Sequence, residues 1–201
     1  MKKVLLITAL AVFSFTTVNA QEDKKEFKEE VNEVVEMAKE GGFYVGANIG
    51  LPLAGVTEVA SFNIGFDAAY LFEVIPNLEV GALIGYSHFF GNGNYTYSDD
   101  DGSVTLDYKD ASFLPIAASG RYYFNEHQFF AGVDTGYAIN LSGDDVDGGF
   151  YFRPKFGYNL GAVTLIGSFT SISGGSNYNS NLNAASVSGF NTANVGIEFG
   201  F

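Results

Sequence analysis

VSGFNTANVGIEFGF, residues 187–201, alternates with a period of two. Val187, Gly189, Asn191, Ala193, Val195, Ile197, Phe199 and Phe201 share one face. Phe190, Thr192, Asn194, Gly196, Glu198 and Gly200 share the other. One mostly apolar face and one mostly polar face at this spacing predict a β-strand, since successive side chains of a strand point to opposite sides.

The same alternation recurs upstream. Strands are predicted over 43–51, 62–72, 78–87, 113–124, 129–141, 150–160 and 163–172, which makes eight with the last. Pro76-Asn77, Asn125-Glu126-His127 and Gly161 mark short turns. Longer connections are expected at 91–110, carrying Asp99-Asp100-Asp101-Gly102, at 142–148, and at the Gly/Asn/Ser-rich 173–186, with one of intermediate length at 52–61. Short turns at one end and longer loops at the other are the asymmetry of an up-and-down membrane barrel.

Charge placement gives the barrel its polarity. No Asp, Glu, Lys or Arg falls on the apolar face of any strand. Asp67, Glu79, Arg121, Asp134, Arg153, Lys155 and Glu198 all fall on the other face. A soluble barrel would fill its lumen with the apolar set. Here the bulky apolar groups suit lipid, where Arg or Lys at the midplane would cost about 2–4 kcal/mol. Tyr70, Phe72, Tyr122, Phe124, Tyr86 and Tyr137 near strand ends read as interfacial girdles. The fold class is therefore all-β, an eight-stranded antiparallel up-and-down transmembrane barrel over residues 43–201.

This pattern resembles the small outer-membrane β-barrel family of the OmpA and OmpX type, on the strength of the eight strands and the terminal Phe199 and Phe201. The resemblance implies an outer-membrane location, both ends of the barrel segment in the periplasm, and a scaffold or surface-interaction role. It also implies that Phe199 and Phe201 serve as an assembly signal read by the barrel-insertion machinery. OmpA-type members often carry a second, peptidoglycan-binding domain; none is expected here. Outer-membrane lipid and that machinery are the expected partners, and no extracellular ligand is identified.

Residues 1–20 read as a signal peptide: Lys2 and Lys3, an apolar run from Val4 to Val12, and Val18-Asn19-Ala20 before Gln21. The run is too short for a helical span of about 20 residues. Residues 21–42 are expected to form a periplasmic helical leader, with Phe27, Val31, Val34, Val35 and Ala38 at helical spacing. The net charge of −13 argues against nucleic-acid binding, which draws on basic patches. The chain has no cysteine and does not depend on disulfides.

The lumen charges comprise three cations and four anions. This near balance predicts a filled, paired interior rather than an ion-selective pore, which usually shows one sign of charge. Folding Leu141 back opposite Gly149 sets Asp134 opposite Phe156 and predicts an Asp134–Lys155 pair, with Arg153 one step nearer the loops. The other four charges extend the network at heights the long loops hide. Catalysis is not expected. Of the two histidines, His88 has Ser87 beside it, but adjacent strand residues point apart, so His88 reads as an interface residue; His127 sits in a turn beside Glu126. Asp99-Asp100-Asp101-Gly102 lacks the spacing and final Glu of an EF-hand loop, so no metal or cofactor is expected. A narrow channel and a lipid-directed enzyme are the alternative readings.

Overall fold

The computed structural model describes residues 40–53, 56–58, 60–99, 102–108, 110–143, 147–173, 176–177, 186–187 and 189–201. The expected signal peptide and nearly all of the expected leader lie outside the described residues. The strands are β1 (Gly42–Leu53), β2 (Ala60–Ile75), β3 (Leu78–Gly91), β4 (Gly93–Asp99), β5 (Gly102–Tyr108), β6 (Ala111–Phe124), β7 (Phe129–Asn140), β8 (Gly149–Asn159), β9 (Thr164–Ile172), β10 (Ser176–Asn177), β11 (Ser186–Val187) and β12 (Phe190–Gly200). A short 3-10 turn, Val56–Glu58, precedes β2.

Eight of these close into one antiparallel barrel in the order β1-β12-β9-β8-β7-β6-β3-β2. Each barrel strand pairs with its neighbours along the chain, and β12 returns to β1. The seam is long: it runs from Tyr44↔Gly200 to Leu53↔Asn191. Beyond it, the Phe201 N–H donates to the Phe43 carbonyl at 2.8 Å, and the Phe43 N–H donates to the Phe201 carbonyl at 3.3 Å. Closure removes the unpaired edges that an open sheet would present.

The loop end differs from the sequence expectation in two places. Residues 93–108, read as part of a polar loop, form a β-ribbon, with Gly93↔Tyr108 at its base and Asp99↔Gly102 at its tip. The stretches NYTYSD and SVTLDY carry alternating β-forming residues around an Asp-Asp-Gly turn sequence, which is a hairpin signal. The closing strand begins at Phe190 rather than Val187, because Ser186–Val187 pair with Ser176–Asn177 in a separate short ribbon. The turn end is tight. Asn77 (φ 69°) makes the β2–β3 turn, and Asn125, Glu126 and His127 (φ 53°, 55° and 65°) make the β6–β7 turn.

The wall is apolar outward. Ile49, Leu51, Phe66, Ile116, Phe150, Phe156, Val195 and their like are exposed. Arg121, Asp134, Arg153, Lys155 and Glu198 are buried. At the turn end, aromatic rings in contact run around the outside: Phe124 stacks on Phe129 at 5.9 Å, and Phe129 meets Tyr158 at a tilt at 4.9 Å between centroids. An apolar exterior with a charged, buried interior is the polarity of a transmembrane barrel, inverted from that of a soluble one.

Candidate functional site

An eight-stranded barrel leaves an interior just wide enough for side chains, and this one is filled in layers. At the loop end Phe89, Phe113 and Phe190 pack ring to ring, with centroids 4.9–5.9 Å apart. Ile172 and Val56 are fully buried in the same apolar cluster. Below lies a neutral polar layer. Asn63 Nδ2 donates to Ser87 Oγ at 2.9 Å, and Asn194 Nδ2 donates to Thr170 Oγ1 at 3.0 Å.

The middle layer holds the predicted pair. Lys155 Nζ lies 2.6 Å from Asp134 Oδ1, and Arg153 Nε lies 2.8 Å from Asp134 Oδ2. Arg153 Nη1 reaches on to Asp67 Oδ2 at 2.7 Å, which also accepts from Asn48 Nδ2 at 3.2 Å. Lys155 Nζ contacts Ser119 Oγ at 3.2 Å. The pair is as expected, but the register is not. Asp134 stands opposite Arg153, not Phe156, and Lys155 stands opposite Gly132. The expected register set an inward Asp across from an outward Phe. Directly opposed residues of an antiparallel pair share a face, so only registers that match inward to inward can form. The observed one begins with Ala138↔Gly149.

Toward the turn end, Arg121 makes a two-bond pair with Glu198 across the lumen, Nη1–Oε1 2.6 Å and Nη2–Oε2 2.5 Å. Its guanidinium is sandwiched between the Tyr44 and Phe130 rings, 4.6 and 4.9 Å from their centroids. Arg121 Nε has no partner among the described residues; the ring faces take its place. Glu79 is opposite Arg121 in register but receives the Tyr123 hydroxyl at 3.0 Å and the Tyr44 hydroxyl at 3.1 Å. The seven charges therefore form two groups. Asp67, Arg153, Asp134 and Lys155 make one; Arg121 and Glu198, with Glu79 alongside, make the other.

Phe130 can fold inward because its cross-strand partner is Gly157. A Cβ on Gly157 would collide with the Phe130 ring. Little space is left. A cavity beside Asn48, Asp67, Arg153, Lys155, Ser168 and Glu198 leaves about 20 Å³ for the centre of a water molecule. That is room for about one ordered water rather than a water column. Sequence reasoning missed the Phe89–Phe113–Phe190 cluster, although Phe113 and Phe190 carried the inward phase. It also missed Tyr44 and Tyr123 as hydroxyl donors to Glu79.

Phe199 and Phe201 both point outward and are exposed, Phe201 to 81%. Ser87 faces the lumen, so it does not meet His88, as expected. His127 lies in the exposed turn with its ring 5.0 Å from Tyr123. Of the acidic loop residues, Asp100 and Asp101 lie outside the described residues. Among the described residues no group of His, Asp or Glu is placed to hold a metal ion.

Solved structures similar to this chain include neisserial surface protein A, at 15% identity, covering 79% of this chain and 97% of that one with a TM-score of 0.47. Ail, the attachment invasion locus protein of Yersinia pestis, is 11% identical, covering 80% and 97% with a TM-score of 0.47. The outer membrane protein AlkL, solved in lipid bilayers, is 13% identical, covering 80% and 90% with a TM-score of 0.38. No family model matches the chain, and no curated protein matches it.

Proposed function

We propose that this chain is an outer-membrane β-barrel protein of a Gram-negative-type envelope with a structural or surface-interaction role. Its lumen is a packed core, and its work is done on the outside and at the loop end. The observation that carries this reading is the pairing of a continuous apolar outer wall with a buried, nearly charge-balanced interior. Lipid is the solvent such a wall fits. The closed hydrogen-bonded ladder satisfies the backbone groups a bilayer cannot.

In this reading the short turns and both ends of the barrel face the periplasm, and the β4–β5 ribbon projects from the cell. Among the described residues that ribbon pairs only within itself, so it is a separate device mounted on the rim. Barrel-assembly machinery is the partner during biogenesis, with Phe199 and Phe201 as its recognition strand. A narrow channel is disfavoured by the aromatic cluster at one end and the ion pairs beneath it.

Fractionation with protease treatment of intact cells tests the reading. The protein should sediment with the outer membrane, and externally added protease should cut within 92–110 while sparing the turns at 76–77 and 125–128. Recovery in the soluble periplasmic fraction, or cleavage at the turns alone, would refute it.

A further inference from the structure

One cluster of reactive side chains lies outside the lumen. His88 is directly opposite Ser112 in the β3–β6 ladder, and both carry the outward phase. Ser112 Oγ is 2.7 Å from His88 Nδ1. On the other side of the ring, His88 Nε2 is 3.4 Å from Asp110 Oδ2. The Asp110 carboxylate is itself clamped, because Oδ1 accepts the Gly91 N–H at 2.9 Å. The Phe90 ring meets the imidazole edge-on, 4.4 Å between centroids. Tyr86, one turn of the pleat below, places its hydroxyl 3.2 Å from Ser112 Oγ.

These contacts select a tautomer. A carboxylate only accepts, so the proton belongs on Nε2, facing Asp110. Nδ1 then carries the lone pair, which meets the Ser112 hydroxyl at 2.7 Å and, less closely, the Tyr86 hydroxyl at 3.4 Å. A nucleophile within reach of a base, and a base oriented by a third group, is the arrangement that activates a serine. The Tyr86 hydroxyl, 3.2 Å from Oγ, stands beside the carbon that Oγ would attack, where it can donate to the oxyanion developing on the substrate's carbonyl oxygen.

The position specifies the substrate. His88 is ten residues along β3 from Leu78 at the turn end. With a rise of about 3.4 Å and a tilt of about 40°, that is about 25 Å, the height of a barrel's apolar band. Below the site the wall is Ile84, Ile116 and Tyr137, each about half exposed. An acyl chain lying on that wall would bring its ester linkage, which sits at the border between hydrocarbon and headgroup, to the serine.

We propose that Ser112, His88 and Asp110 form a lipid-facing acyl-ester hydrolase site, with Tyr86 as oxyanion donor. Ser112 Oγ attacks the ester carbonyl carbon, and its proton passes to His88 Nδ1. The bond to the leaving alcohol breaks as His88 returns that proton to the alkoxide. Water then attacks the acyl-serine, again through His88, and the bond to Oγ breaks with the proton restored to Ser112. The sum is ester plus water giving carboxylic acid plus alcohol, with no change of oxidation state. Ser112 and His88 are the catalytic residues; Asp110 is a positioning residue.

This site needs the wall to lie in lipid, so it rests on the membrane reading. The test keeps the two apart by scoring heat-dependent gel mobility, which reports the folded barrel, in every sample. The full chain is refolded into detergent and into phosphatidylethanolamine–phosphatidylglycerol vesicles. A fluorophosphonate should add once, on the peptide containing Ser112, and free fatty acid should be released from the vesicles. Ser112→Ala should abolish labelling. Ser112→Ala and His88→Ala should each lower release by about 100-fold or more, and Asp110→Asn by less, all with unchanged gel mobility. A folded barrel that takes no label at Ser112, or releases fatty acid equally with Ser112→Ala, overturns the site. Cleavage of soluble p-nitrophenyl acetate without release from vesicles overturns the lipid assignment.

Discussion

Asp134 is fully buried and receives both Arg153 and Lys155, but the two cations depend on it unequally. Arg153 keeps Asp67 as a second carboxylate partner. Among the described residues Lys155 has the Ser119 hydroxyl as its one other hydrogen-bond partner. Removing one member of a buried pair costs about 3–5 kcal/mol, because the other charge is left unpaired, whereas removing both is often nearly neutral. Asp134→Ala should therefore lower the urea unfolding midpoint, and the unfolding free energy obtained from it and the slope by an amount in the lower part of that range. Adding Lys155→Met should recover more of the loss than adding Arg153→Met, which also strands Asp67. Urea titrations of the two double-mutant cycles in lipid vesicles read the difference directly. Additivity in both cycles would show that the lumen pairs are solvated and energetically silent.

At the scale of the element, β12 is the strand on which closure depends. It pairs with β9 on one side and β1 on the other, and its last hydrogen bonds are the two between Phe201 and Phe43. Deleting Phe201 removes both, each worth about 1 kcal/mol net, together with an exposed aromatic group at the turn-end girdle. Phe201→Ala keeps the backbone bonds and removes only the ring. If the ring is what the assembly machinery reads, the two variants should show the same fall in outer-membrane level by immunoblot, while refolding of the purified chain in detergent is impaired only by the deletion. Normal outer-membrane levels for Phe201→Ala would leave the residue a purely backbone role.

For the whole molecule, a closed ladder with an apolar exterior should resist detergent denaturation until heated. The native protein should run ahead of the boiled one on SDS gels. In planar bilayers it should carry no steady current, because the Phe89–Phe113–Phe190 cluster and the ion pairs beneath it occupy the lumen. Phe89→Ala with Phe190→Ala opens the loop-end cluster alone. The Asp67–Arg153–Asp134–Lys155 group should still block conduction in that variant. Single-channel currents in wild type would contradict the packed interior, and currents in the double variant alone would place the seal in the aromatic layer.

Strand phase was legible from the chain alone, because side-chain direction in a strand depends only on residue parity. That is why Asp67, Glu79, Arg121, Asp134, Arg153, Lys155 and Glu198 could be assigned to one face, and why Ser87 and His88 could be separated. Parity and sign also sufficed to expect an Asp134–Lys155 contact, even from a register that set unlike faces opposite each other. What parity cannot supply is the identity of the neighbour across the ladder. Connection lengths leave the stagger between strands open, and the choice among staggers is made by the packing of the whole barrel. The Arg121–Glu198 pair joins β6 to β12 across the lumen, and the contact of Ser112 with His88 joins β6 to β3 past a ribbon that pairs with neither. Both were decided only by closure of the sheet, which fixes every stagger at once.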